Sequence, residues 1–102
     1  MSRTWKQTEK QHAKRLGAER VSTLKRGEES ADSENDWLSI ESKERKNVPK
    51  YLTDWMAQAE SNADGRLPIV ILHKLGQRYE NDLVFMRLKD FKEWFGDEDE
   101  QI

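Results

Sequence analysis

The 102 residues predict an α/β domain, a mixed sheet with helices on both sides. Three observations carry this expectation. Apolar residues recur at three-to-four-residue spacing in two segments, within 4–16 and 52–63, which is the helical period. Shorter stretches at 36–44, 67–72 and 83–88 alternate or run continuously apolar, which is strand patterning. Gly17, Gly27, Asp64-Gly65 and Gly96 punctuate the chain between them.

Each element has its own local cause. The first helix spans about Thr4 to Leu16, capped by Ser2 or Thr4 and closed by Gly17. Trp5, His12, Ala13 and Leu16 form its apolar face, and Glu9 lies in the same stripe. Arg20 to Leu24 fits a short strand, followed by a loop from Lys25 to Ser30. A hairpin comes next. Ala31 to Ser33 enters, Glu34-Asn35 turns, and Asp36 to Glu44 returns. On the return strand Leu38 and Ile40 share one face, while Trp37, Ser39, Glu41 and Lys43 share the other. Asn47-Val48-Pro49 opens a second helix, with Pro49 in its first turn, and Asp64-Gly65 ends it. Its stripe is Leu52, Trp55, Met56, Ala59 and Ala63. Leu67 to Leu72 reads as a strand buried on both faces. Gly76 to Asn81 is a turn, and Leu83 to Leu88 another strand. Asp90 caps a last helix carrying Phe91, Trp94 and Phe95, which Gly96 stops.

Composition limits what such a chain can do. At this length one domain is expected over residues 1–96, with an acidic, frayed tail at 97–102. Charged residues (37%) outnumber hydrophobic ones (34%), so the core is thin and self-association would help. There is no Cys, which excludes disulfides and thiolate metal sites and points to a reducing, cytoplasmic setting. No apolar run approaches the roughly 20 residues that cross a membrane. The net charge of −2 argues against nucleic acid, but its distribution does not. Eight Lys/Arg against two Glu lie between Arg3 and Arg26, and the acids gather at 28–36 and 97–100. A basic footprint beside an acidic pocket suits a protein that holds phosphates and a metal.

Glu41-Ser42-Lys43 is the constellation that carries chemistry. Two residues apart on a strand, carboxylate and ammonium point the same way, about 7 Å apart along the chain. The carboxylate can ligate a hard cation, and the lysine can stabilise charge or orient a water. Phosphodiester hydrolysis needs both. A second carboxylate is required, and Asp32 and Asp36 compete for the role. Asp36 lies five residues before Glu41, an odd offset that sets the two on opposite faces of a regular strand. Asp32 lies across the turn, where it can come beside Glu41, and is favoured.

The order Glu9, Asp32, Glu41-Ser42-Lys43 resembles the PD-(D/E)xK nuclease superfamily. Within it the chain resembles the phage-type and archaeal Holliday-junction resolvases. The likeness takes in the first helix with Glu9 and its Leu16-Gly17 stop, Arg20-Val21, and Ala31-Asp32. It continues through Trp37 to Arg45, the Pro49 helix with Gln58-Ala59, and the strand after Pro68. Ala31 stands where the family often has a proline. The resemblance implies a restriction-endonuclease-like αβββαβ core and Mg²⁺ (or Mn²⁺) held by Glu9, Asp32, Glu41 and the backbone carbonyl of Ser42. Lys43 would assist attack. It further implies cleavage of DNA, branched DNA in particular, by a homodimer.

The remaining candidates divide between site and surface. Arg20 can touch phosphate or cap a strand. Arg45, Lys46 and Lys50 can hold the DNA backbone or simply be solvated. Gln58 can edge the active site or be a surface amide. His12 and His73 lack a matching ligand spacing and read as packing residues. The rival functions are a nicking or repair nuclease on other DNA, and a non-catalytic DNA- or protein-binding module with this fold.

Overall fold

The computed structural model describes residues 5–21 and 32–96. The chain divides into two compact units, one running to Lys46 and one spanning Asn47–Phe95. The architecture is mixed α/β, with three helices and two small antiparallel sheets. The expected order of three helices and five strands holds throughout.

In the first unit, helix α1 (Trp5–Arg15) buries Thr8, Glu9 and Ala13. Its basic last turn, with His12, Lys14 and Arg15, complements the helix dipole. Gly17 ends it in the left-handed region at φ 65°, where Ala18 N–H reaches back to the Ala13 carbonyl at 2.8 Å. That is a Schellman-type stop, which glycine makes without a Cβ clash. Trp5, expected on the apolar face, is exposed instead.

Strands β1 (Glu19–Arg20), β2 (Ser33–Glu34) and β3 (Ser39–Ile40) pair antiparallel in that order, with Arg20 opposite Ser33 and Ser33 opposite Ile40. The residues expected to extend β1 from Ser22, and the loop at 25–30, lie outside the described residues, as does Ala31. The hairpin turn differs from expectation. It runs through Asn35 to Leu38, with Asn35 N–H bonded to the Leu38 carbonyl at 3.0 Å. Asp36 and Trp37 therefore sit in the turn and not on the return strand. The cause is the Asn35 side chain. Its Oδ1 accepts the N–H groups of Trp37 (3.1 Å) and Leu38 (2.8 Å). Its Nδ2 donates to the carbonyls of Leu16 (3.1 Å) and Gly17 (3.3 Å), fastening the hairpin to the end of α1. Asn35→Ala removes all four bonds. It is expected to lower stability by about 2 kcal/mol, read from the urea midpoint at unchanged m-value. Asn35→Asp, which keeps the acceptor and loses the donors, should fall in between. A loss under about 0.5 kcal/mol for Asn35→Ala would show the side chain dispensable.

The second unit begins with α2 (Lys50–Ser61). Pro49 stands at its N-cap, one place before the expected first turn. Met56 is buried and Leu52, Ala59 and Ala63 are half-buried, so the predicted stripe faces inward apart from Trp55. Asp64 (φ 48°) and Gly65 (φ 80°), two consecutive left-handed residues, turn the chain away from the helix. Strands β4 (Val70–Leu72) and β5 (Leu83–Phe85) form an antiparallel ribbon, Ile71 opposite Val84.

This ribbon corrects two expectations. No parallel pair joins it to other strands among the described residues, so the single mixed sheet is here two antiparallel sheets. The short connection at 73–82 sets β4 and β5 antiparallel, since a parallel neighbour needs a longer crossover. Nor is the Leu67–Leu72 run buried on both faces, for Ile71, Leu72, Leu83 and Val84 are exposed. Beyond Phe85 the chain enters α3 (Leu88–Phe95), earlier than expected. Asp90 is thus inside the helix and buried, and caps nothing. Among the described residues the buried apolar side chains are Ala13 and Met56, which is the thin core that the composition implied. No helix among them is long and apolar enough to cross a membrane.

Candidate active site

The first unit brings the central acid-lysine motif and its neighbours together. From Trp37 to Lys43 burial alternates residue by residue. Leu38, Ile40 and Ser42 turn inward, and Trp37, Ser39, Glu41 and Lys43 outward. That is the two-face reading of the strand, extended past the end of β3. Asp32 and Glu41 flank the Ser33–Ile40 pair that ends this ladder, Asp32 just before Ser33 and Glu41 just after Ile40.

Asp32 is buried, and its Oδ2 accepts the backbone N–H of Ser42 at 2.7 Å. The backbone carbonyl of Asp32 takes Val21 N–H at 2.9 Å, which ties the acid to the β1 side as well. Glu41 and Lys43 are exposed, with Lys43 Nζ 3.9 Å from Glu41 Oε2. Asp36 lies on the turn and is exposed, in a cleft of about 750 Å³ lined by Glu19, Arg20, Glu34 and Asn35 among others.

Glu9 is 3% exposed, and its carboxylate has found a partner within the protein. Arg20 Nε donates to Glu9 Oε2 at 2.8 Å. Burying a carboxylate demands such compensation. Arg20 thereby acquires a role inside the fold, and its Nη2 is buried without a hydrogen-bond partner. Among the described residues, no three His, Cys, Asp or Glu side chains stand close enough together to hold a metal ion. Asp32 and the 41–43 motif are brought together, while Glu9 is engaged by Arg20.

The basic candidates are spread along the chain. Arg45 and Lys46 are exposed at the end of the first unit, and the Arg45 guanidinium bonds the Glu44 carbonyl at 3.0 Å. Lys50 and Gln58 belong to the second unit. Lys50 pairs with Asp54 one turn on, at 2.9 Å. Gln58 lines a groove of about 510 Å³ with Trp55, Asn62, Ile69 and Ile71.

Two histidines turn out to have specific partners. His73 Nδ1 is 2.7 Å from Asp82 Oδ1, and its ring stacks on Tyr79, closing the loop between β4 and β5. His12 Nδ1 is 2.8 Å from Ser42 Oγ, inside the motif itself. One turn earlier, the Thr8 hydroxyl donates to Glu44 Oε1. The sequence held one faint signal of this contact. Polar Thr8 and His12 share a helix face at i, i+4, and Ser42 and Glu44 share a strand face at i, i+2.

Compared with family descriptions, curated proteins and solved structures, the chain has no significant match in any of the three.

Proposed function

We propose that the chain is a divalent-metal-dependent endonuclease that hydrolyses DNA phosphodiesters, with branched DNA as substrate. One observation carries the reading. Asp32 lies against the Glu41-Ser42-Lys43 segment, its carboxylate bonded to the Ser42 amide. The element order supports a restriction-endonuclease-like core as its scaffold.

Asp32, Glu41 and the Ser42 carbonyl supply hard oxygen donors, the kind that Mg²⁺ and Mn²⁺ prefer. Glu41 is exposed, so its side chain is free to turn toward a bound cation. Glu9 would join them by exchanging some of its hold on Arg20. When bound, a divalent cation would offset charge on the phosphate and make a bound water more acidic. Lys43 adds a positive charge beside Glu41, suited to an oxyanion developing at the phosphate. Arg20, Arg45, Lys46, Lys50 and Gln58 remain candidates for DNA contact. The exposed apolar side chains Ile71, Leu83 and Val84 support association into a homodimer.

A second reading has its own observation. Glu9 is already neutralised by Arg20, an arrangement that a non-catalytic module with this fold would also have. A panel of labelled duplex, flap and four-way-junction DNA separates the two. With millimolar Mg²⁺ the junction should be cut fastest, and EDTA should abolish cutting. Equal cutting of all three substrates would favour a nicking or repair nuclease. Tight binding with no product in Mg²⁺ or Mn²⁺ would refute the enzyme and favour the module.

A further inference from the structure

The Glu41-Ser42-Lys43 segment lies beyond the regular strand pairing, which ends at Ile40. Something other than a sheet ladder must therefore hold it in place. Helix α1 has the means. Thr8 and His12 stand one turn apart on the same helix face. Ser42, half-buried, and Glu44, exposed, stand two residues apart on the segment. The Thr8 hydroxyl meets the Glu44 carboxylate, and His12 Nδ1 meets Ser42 Oγ at 2.8 Å. The i, i+4 spacing of the helix thus matches the i, i+2 spacing of the extended chain.

From these contacts we infer that Thr8 and His12 are positioning residues, a two-point clamp that sets how Glu41 and Lys43 are presented. The inference rests on the nuclease reading. Ser42 is the pivot. Its N–H is held by Asp32 at 2.7 Å and its hydroxyl by His12, so the residue is held at both its backbone and its side chain. The residues on either side, Glu41 and Lys43, then stand outward on an anchored base. Neither clamp residue needs to touch substrate. Each acts through the residue it grips, as the outer partners of ligands and catalytic groups commonly do.

The clamp has a signature that a plain packing role lacks. His12→Ala, His12→Asn, Ser42→Ala and the double variant His12→Ala/Ser42→Ala are compared with wild type. The readouts are junction cleavage in Mg²⁺, junction binding in Ca²⁺, affinity for Mn²⁺ alone, and thermal unfolding. His12→Ala should lower kcat by about 10- to 100-fold and weaken Mn²⁺ binding by a similar factor. Junction affinity should stay within about twofold. Asn offers an amide nitrogen near the Nδ1 position, so His12→Asn should recover most of the loss. The double variant should be no worse than the more damaged single one, because both remove the same bond. Thr8→Val tests the second point of the clamp in a different side chain, with a smaller loss of the same kind. The clamp is overturned if wild type cuts and binds Mn²⁺ while folded His12→Ala matches it within twofold. It is overturned too if the losses of His12→Ala and Ser42→Ala simply multiply. Should His12→Ala fail to fold, Ser42→Ala and Thr8→Val carry the test, and wild-type kcat and Mn²⁺ affinity in both sink the idea. If wild type neither cuts DNA nor binds Mn²⁺, the nuclease reading itself has failed and the clamp falls with it.

Discussion

Asp32→Asn should cut junction DNA on the order of 10³-fold more slowly than wild type, about 4 kcal/mol of lost transition-state stabilisation. Asp36→Asn should stay within about twofold. The contrast follows from where the two acids sit. Asp32 is buried against the acid-lysine motif, and Asp36 is exposed on the hairpin turn. Asparagine keeps the shape of Asp32, and its carbonyl oxygen can still accept the Ser42 N–H. What it removes is the negative charge that a cation needs. Folding should thus suffer much less than catalysis, which unfolding in urea beside the rate assay will show. Full activity in Asp32→Asn would overturn the choice of acid, and full activity in both variants would remove this hairpin from the mechanism.

Arg20→Ala is expected to lower stability by about 3 kcal/mol, the largest loss anticipated from a single substitution in this chain. It takes away from the Glu9 carboxylate, 3% exposed, the guanidinium that lies 2.8 Å away. The cost arises from a charge left in a poor dielectric and not from the value of the pair itself. Introducing Glu9→Gln into the Arg20→Ala background should therefore recover more than half of the loss. Against a typical stability of about 5–15 kcal/mol, the single variant is severely weakened. Circular dichroism in urea measures this directly, and a loss below about 1 kcal/mol would show that Glu9 does not depend on Arg20. Millimolar Mg²⁺ adds a functional reading. If Glu9 also serves the metal, the ion should raise the unfolding midpoint of Arg20→Ala more than that of the double variant, because a ligand stabilises the state that binds it.

Much of the fold was legible because it rests on local causes. The order of helices and strands follows from the periods of the apolar residues. The end of α1 follows from Gly17, whose left-handed backbone angle few other residues accept, whereas α2 already stops at Ser61 and Asp64-Gly65 turn the chain just beyond it. The alternation from Trp37 to Lys43 placed Glu41 and Lys43 together on the outward face. The hairpin turn was misjudged because a side chain decided it. Asn35 bonds two amides ahead of it and two carbonyls some eighteen residues behind it, and no pattern within the hairpin reveals the latter. The apolar run at 67–72 misled for a related reason. Period and hydrophobicity show what a strand can bury, not whether a neighbour arrives to cover it.

By itself, then, the sequence determined the kinds and order of the elements, the glycine stop of α1, and the side of the chain on which Glu41 and Lys43 stand. Those depend on backbone angles and side-chain periods within a few residues. Only the tertiary structure decided the partners: Arg20 for Glu9, the Ser42 amide for Asp32, Ser42 and Glu44 for His12 and Thr8. Such pairings join residues ten to thirty-six positions apart. They are set by how the helix packs on the hairpin, where a charge or hydroxyl removed from water bonds to whichever group the packing brings within reach.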